Sequence, residues 1–152
     1  MHIVLYEPEI PPNTGNIGRL CAATETRLHL IKPLGFSLED RYLKRAGLDY
    51  WPYLQLSIWP DWPSFLQGLP AEARVVAASA RQGRAHPCLV YTPEDYLLLG
   101  PESRGLPQAV LEQAHEVVRI PIWGRVRSLN LANAAAVLLY EGLRQTGGLE
   151  GK

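Results

Sequence analysis

Nowhere in the 152 residues does an apolar run approach the roughly 20 residues that a membrane span requires. The opening MHIVLYEPE also lacks the basic segment and apolar stretch of a signal peptide, so a cytoplasmic location is the expectation. Cysteine is scarce. The two present, Cys21 and Cys88, stand far apart without CxxC or Cys/His spacing, which argues against a disulfide framework and a zinc site. Both are expected to be buried, inert thiols. Net charge is missing as well, because 15 Lys and Arg offset 15 Asp and Glu. Bulk charge therefore cannot coat nucleic acid, and any RNA site must be a local patch. Arg41, Lys44 and Arg45 form one candidate cluster, Arg81 and Arg84 a second, and Arg119, Arg125 and Arg127 a third. No P-loop GxxxxGK[ST] and no carboxylate cluster suited to a metal occurs, so no metal is expected.

What is present is a hydrophobic fraction of 47%, average for a soluble globular chain, in a length that suits one domain. We read 1–152 as that domain, with 146–152 as a frayed tail. Six aliphatic and β-branched segments read as strands: 2–6, 27–31, 54–58, 74–78, 96–100 and 116–120. Several are continuously apolar, as in a parallel sheet covered on both faces. Helical pattern occupies 14–25, after turn chemistry at Pro11, Pro12 and Asn13, and 130–146, where Ser128 or Asn130 can cap. Shorter helices fit 39–46, 61–68 and 107–114. The expected class is α/β, a mostly parallel sheet flanked by helices.

Three segments stand where such sheets bind ligands. Asn13-Thr14-Gly15-Asn16-Ile17-Gly18-Arg19 joins a strand to a helix, where glycines admit a ligand to the backbone and the helix N-terminus attracts anions. It is not a complete dinucleotide fingerprint, since Asn13 replaces the first Gly and the second strand ends in Lys32 and Pro33 without an acid for a ribose. Gly100-Pro101-Glu102-Ser103-Arg104-Gly105-Leu106 follows an apolar strand. Ser128-Leu129-Asn130-Leu131-Ala132-Asn133-Ala134 opens the last helix. Taken singly, each reads equally well as a structural turn.

Taken together, their order and wording resemble the three motifs of the SPOUT superfamily of RNA methyltransferases, written NxGxxxR, GPExxGL and SLNLxxA. IVLYEPEIPPNTGNIGRLCA, RLHLIKPLGF and RAGLDY further resemble the TrmL/YibK subfamily, and the likeness spans nearly the whole chain. The resemblance implies an α/β knot domain with a C-terminal trefoil knot. It implies transfer of a methyl group from S-adenosyl-L-methionine, leaving S-adenosyl-L-homocysteine, to the ribose 2′-OH of wobble nucleotide 34, a cytidine or modified uridine. The implied partners are the tRNA anticodon stem-loop and a second copy of the chain in a homodimer.

Residue by residue, the resemblance assigns cofactor contacts to Ala78, Gly100, Ile120 and Ser128, chiefly through backbone atoms, with Gly105 and Leu129 beside them. Arg19 is the candidate catalytic residue. A guanidinium is too basic to accept a proton, so its expected work is phosphate anchoring and support of the developing alkoxide. Asn13, Arg41 and Tyr140 are candidate substrate-side residues, with Tyr140 equally readable as a core or interface aromatic. Glu7 reads as a structural carboxylate or a base. Trp51, Trp59, Trp62 and Trp123 read as packing residues, although an exposed one could stack on a base. Ala23-Thr24-Glu25-Thr26 and Ser79-Ala80-Arg81-Gln82-Gly83 depart from the family pattern. A knotted RNA-binding protein without catalysis is the alternative reading.

Overall fold

The computed structural model describes residues 1–39 and 49–152. The candidate substrate residue Arg41, the cluster of Arg41, Lys44 and Arg45, and most of the helix expected at 39–46 lie outside the described residues. A central strand β1 (His2–Tyr6) is followed by helix α1 (Pro11–Ala23), β2 (Arg27–Ile31) and β3 (Leu56–Trp59). Helix α2 (Trp62–Gln67) leads to β4 (Arg74–Ala78), the short β5 (Arg84–Ala85) and β6 (Asp95–Leu99). Helix α3 (Gln108–Gln113), β7 (Glu116–Arg119) and α4 (Leu131–Gln145) complete the order.

The strands form a single sheet of order β3-β2-β1-β6-β4-β7-β5, and each pairing is parallel. Side chains alternate across a strand, so β1 sends Ile3 and Leu5 to one face and Val4 to the other. On the first face they join Ile17 and Cys21 of α1 and Ala135, Leu138 and Leu139 of α4. On the second, Val4 meets Trp62 and Phe65 of α2 and Val110 and Leu111 of α3. Both faces are covered, which is why β6 is buried at all five positions, Asp95 through Leu99. Asp95 is accommodated because Arg74, its register partner on β4, donates to it twice, at 2.8 and 2.7 Å. Thr92 supplies two further donors, N–H and Oγ1–H.

The crossover from β1 runs over the α1 face, whereas that from β6 runs over the α3 face. The two adjacent strands thus form a topological switch point, where open α/β sheets leave a crevice at the strand C-termini.

Several expectations are corrected. Helix α1 begins at Pro11, so Pro11 and Pro12 are its first residues rather than a turn before it. Proline suits that position because its missing N–H would be unpaired there and its φ is already helical. Cys88 is exposed, unlike the buried Cys21. Asn130 alone caps α4, its side chain accepting from Ala132 and Asn133 N–H. Beyond α4, Gly148 N–H donates to Leu143 O at 2.8 Å and Glu150 N–H to Gly147 O at 3.1 Å.

Candidate active site

Strand β6 ends at Leu99, and the chain then folds back on itself through residues 100–107. A Cβ at Gly100 would collide with the backbone of Leu106 and Gly105, the latter carbonyl carbon at 2.6 Å. Gly105 N–H donates to Pro101 O at 2.9 Å, and Gly105 adopts φ +69°, a left-handed conformation with no atoms near its Cβ direction. Gly100 is therefore glycine so that the loop can close, and Gly105 so that it can turn into open space.

Carboxylates tie this loop to the end of β1. Glu102 accepts from Glu9 N–H at 2.9 Å, Ile10 N–H at 3.1 Å and Asn13 Nδ2 at 3.2 Å. It lies at the α1 N-terminus, where the helix favours negative charge. The anion at that terminus is the protein's own side chain. Glu9 accepts from Ser103 N–H and Oγ, and Arg104 pairs with Glu7. Glu7 holds φ +47°, uncommon for a residue with a Cβ, where the chain turns out of β1. Asn13, 7% exposed, accepts on Oδ1 from Asn130 Nδ2 at 2.9 Å. Asn130 in turn caps α4. One hydrogen-bonded chain, Glu102–Asn13–Asn130, thus joins the three motif segments.

Together they enclose a cleft of about 710 Å³ at the C-terminal ends of β4, β6 and β7. Its walls include all six residues assigned to the cofactor: Ala78, Gly100, Gly105, Ile120, Ser128 and Leu129. Asn13 also borders it. Leu99, Leu106 and Leu131 give it an apolar floor, and Arg81, Arg104 and Arg127 a cationic rim. Such a shape accepts a flat, partly apolar molecule whose polar edges can be read by backbone groups. Among the described residues no cluster of His, Cys, Asp or Glu is placed to hold a metal.

Other assigned residues lie elsewhere. Arg19 is half-exposed in a separate depression with Ala22, Ala23, Asp49, Tyr50 and Tyr53. Its guanidinium is 3.4 Å from Asp49 and 5.1 Å above the Tyr50 ring. Six residues of helix carry it about 9 Å along and about 120° around from Asn13. Tyr140 is 47% exposed and does not border the cleft. The motif glycines of α1 pack Tyr50. A Cβ at Gly18 would lie 3.3 Å from that ring, and the Tyr50 hydroxyl donates to Gly15 O at 2.6 Å. Tyr50, Glu9 and Glu102 have contacts that sequence alone does not signal, although all three stand in segments that resemble the family.

Residues 1–140 match the SpoU rRNA methylase family. The chain is 50% identical over 149 residues to a tRNA (cytidine(34)-2′-O)-methyltransferase of Aeromonas hydrophila, covering 97% of this chain and 95% of that one. A solved structure concerned with 2′-OH methylation of C/U34 on tRNA superposes with TM-score 0.92 at 52% identity, covering 95% of this chain and 94% of the other. An rRNA methyltransferase of Sinorhizobium meliloti, solved with S-adenosylmethionine bound, superposes with TM-score 0.86 at 26% identity. It covers 94% of this chain and 55% of that one.

Proposed function

The chain belongs to the SpoU rRNA methylase family, and from that premise we infer that it methylates the ribose 2′-OH of nucleotide 34 in tRNA, using S-adenosylmethionine. The observation that carries this reading is the convergence of three distant motif segments on one cleft. The cleft suits the cofactor in volume, in its apolar floor and in its exposed loop backbone. Ala78, Gly100, Gly105, Ile120, Ser128 and Leu129 are the residues proposed to hold it. When bound, it supplies an electrophilic methyl group and needs no metal.

What the protein must add is alignment of a poorly acidic hydroxyl and stabilisation of its developing negative charge. We assign that work to Arg19, whose planar cation offers paired donors to the 3′-phosphate and the 2′-oxygen. Arg19 lies outside the cleft of its own chain, so the proposal places it at the cleft of a second copy. The α1–α4 layer is the proposed homodimer contact. It exposes Val137 and Tyr140 at 39% and 47%, beside the Asn16, Arg19 and Ala23 face of α1. The proposal puts Asn13 and Tyr140 on the substrate side and takes the anticodon stem-loop as the recognised part of the tRNA. The proposal includes a trefoil knot in the C-terminal segment and action on tRNA in the cytoplasm. No described helix is long and apolar enough to cross a membrane.

The test is to incubate the protein with unmodified tRNA and S-adenosylmethionine and map 2′-O-methylation by mass spectrometry. Methylation at nucleotide 34 is expected. Cofactor binding without methyl transfer to any tRNA would instead favour the non-catalytic RNA binder.

A further inference from the structure

The segment joining β7 to α4 is exposed at every residue from Trp123 to Asn130. Trp123 is 94% exposed and Val126 63%. This overturns the packing role for Trp123 and leaves the other reading, that of an exposed tryptophan able to stack on a base. The other tryptophans have structural partners: the Trp62 indole N–H donates to Gln113, that of Trp59 to His29, and Trp51 packs against Tyr50. Trp123 has none among the described residues. A fully hydrated indole is an unusual use of the largest apolar side chain.

The segment itself is selectively cationic. From Val117 to Tyr140 the chain contains no Asp or Glu, whereas Arg119, Arg125 and Arg127 fall within it. Arg125 and Arg127 make no ion pair with a described residue, in contrast to Arg84, which pairs with Glu116 at 3.2 Å. The segment also borders the cleft: Ile122, Arg127, Ser128 and Leu129 all line it, together with Arg81, with Arg104, which pairs with Glu7, and with Glu102, which is held by backbone N–H groups of Glu9 and Ile10. An aromatic face set among unpaired guanidinium groups matches a single-stranded nucleic acid, which presents flat bases and phosphates together. A second copy of this chain fits less well, because a two-fold contact centred here would face arginines with arginines and offer no carboxylate from the segment.

We propose that Trp123 is a stacking platform for a base flanking the methylated nucleotide, with Arg125 and Arg127 holding adjacent phosphates. This rests on the RNA methyltransferase reading and adds the element that grips the unpaired loop. Base–aromatic stacking contributes about 1–3 kcal/mol, equivalent to roughly 5- to 150-fold in affinity.

The probe is an unmodified tRNA transcript with cytidine at position 34, titrated into wild type, Trp123→Ala and Trp123→Phe. For Trp123→Ala we expect a 5- to 150-fold weaker affinity for the transcript, unchanged affinity for S-adenosylmethionine and an unchanged mass in light scattering. Trp123→Phe should recover most of the RNA affinity. Transcript binding should quench indole fluorescence in wild type and not in Trp123→Phe. RNA affinity within two-fold of wild type for Trp123→Ala overturns the proposal. So does a loss accompanied by subunit dissociation, which makes the segment a subunit contact. Failure of the wild type to bind the transcript would defeat the underlying functional reading instead.

Discussion

Gly105 and Gly100 sit five residues apart in the same loop and answer to different constraints. At Gly105 the positive φ strains any L side chain, and a larger residue would enter the open cleft. At Gly100 the obstacle is the loop's own backbone. We therefore expect Gly105→Val to weaken S-adenosylmethionine binding in calorimetry while the melting temperature falls only modestly. Gly100→Val should lower the melting temperature as well, because the loop can no longer fold back. Equal effects of the two on cofactor affinity, with both proteins fully stable, would contradict this division. Arg19→Ala should retain cofactor binding and folding but lose about 100- to 1000-fold in single-turnover methyl transfer, the range for removing a preorganised donor. Arg19→Lys should recover part of it, since a point charge lacks the planar fork. A rate within a few-fold of wild type for Arg19→Ala would assign the electrostatic role to another residue.

At the scale of elements, two polar contacts hold the sheet together from within. Arg74 and Asp95 join β4 to β6 in register, with Asp95 fully buried. Removing the guanidinium in Arg74→Met leaves that carboxylate without its charge partner, and a loss of about 3–5 kcal/mol in urea unfolding is expected. On the β1–β2 pair, the Trp59 indole N–H donates to His29 Nδ1 at 3.1 Å, which puts the His29 proton on Nε2. That nitrogen lies 2.9 Å from His2 Nδ1, so His29 donates and His2 accepts. A proton added to either ring would set two N–H groups against each other. Burial, the largest cause, lowers both imidazoles from about 6.5 to about 4. The unfolded chain therefore binds more protons than the native one between those values. The stabilising contribution of the neutral pair is fully present above pH 6.5 and is lost as pH falls toward 4. Melting temperatures should decline through that window, and His2→Phe should flatten the decline. An identical pH profile for the variant would exclude the pair as its source.

For the whole molecule, the notable fact is that Arg19 and the cleft occupy different parts of one chain. If a second copy brings them together, two inactive variants can repair each other. Coexpressed Arg19→Ala and Gly105→Val chains should regain about a quarter of wild-type methyl transfer when subunits mix at random, because half the dimers then hold one intact site. Each variant alone should remain inactive. No recovery, in a preparation shown to contain mixed dimers, would overturn the action of Arg19 across the dimer.

Strand positions, fold class and the three motif segments were legible in the sequence because each is encoded by neighbouring residues. Continuous apolar runs such as Leu97–Leu99 announce a doubly covered strand, and Asn130 before an Ala- and Leu-rich run announces a cap. The start of α1 is not legible locally, because Glu102, which accepts at that terminus, arrives from a segment 89 residues from Asn13. The packing of Gly15 and Gly18 against Tyr50 was hidden for the same reason. Sequence order gave no means of seeing that Asn13 would meet Asn130 across 117 residues, or that β6 would enter the sheet between β1 and β4. The residue types suited to binding cofactor and RNA were set by the sequence. Which of them share a cleft, which side chain closes the helix N-terminus, and that Trp123 stands in solvent rather than in a core were decided by the tertiary path. Local propensity extends over a few residues, whereas a cleft is made by whichever distant segments the sheet brings to one edge.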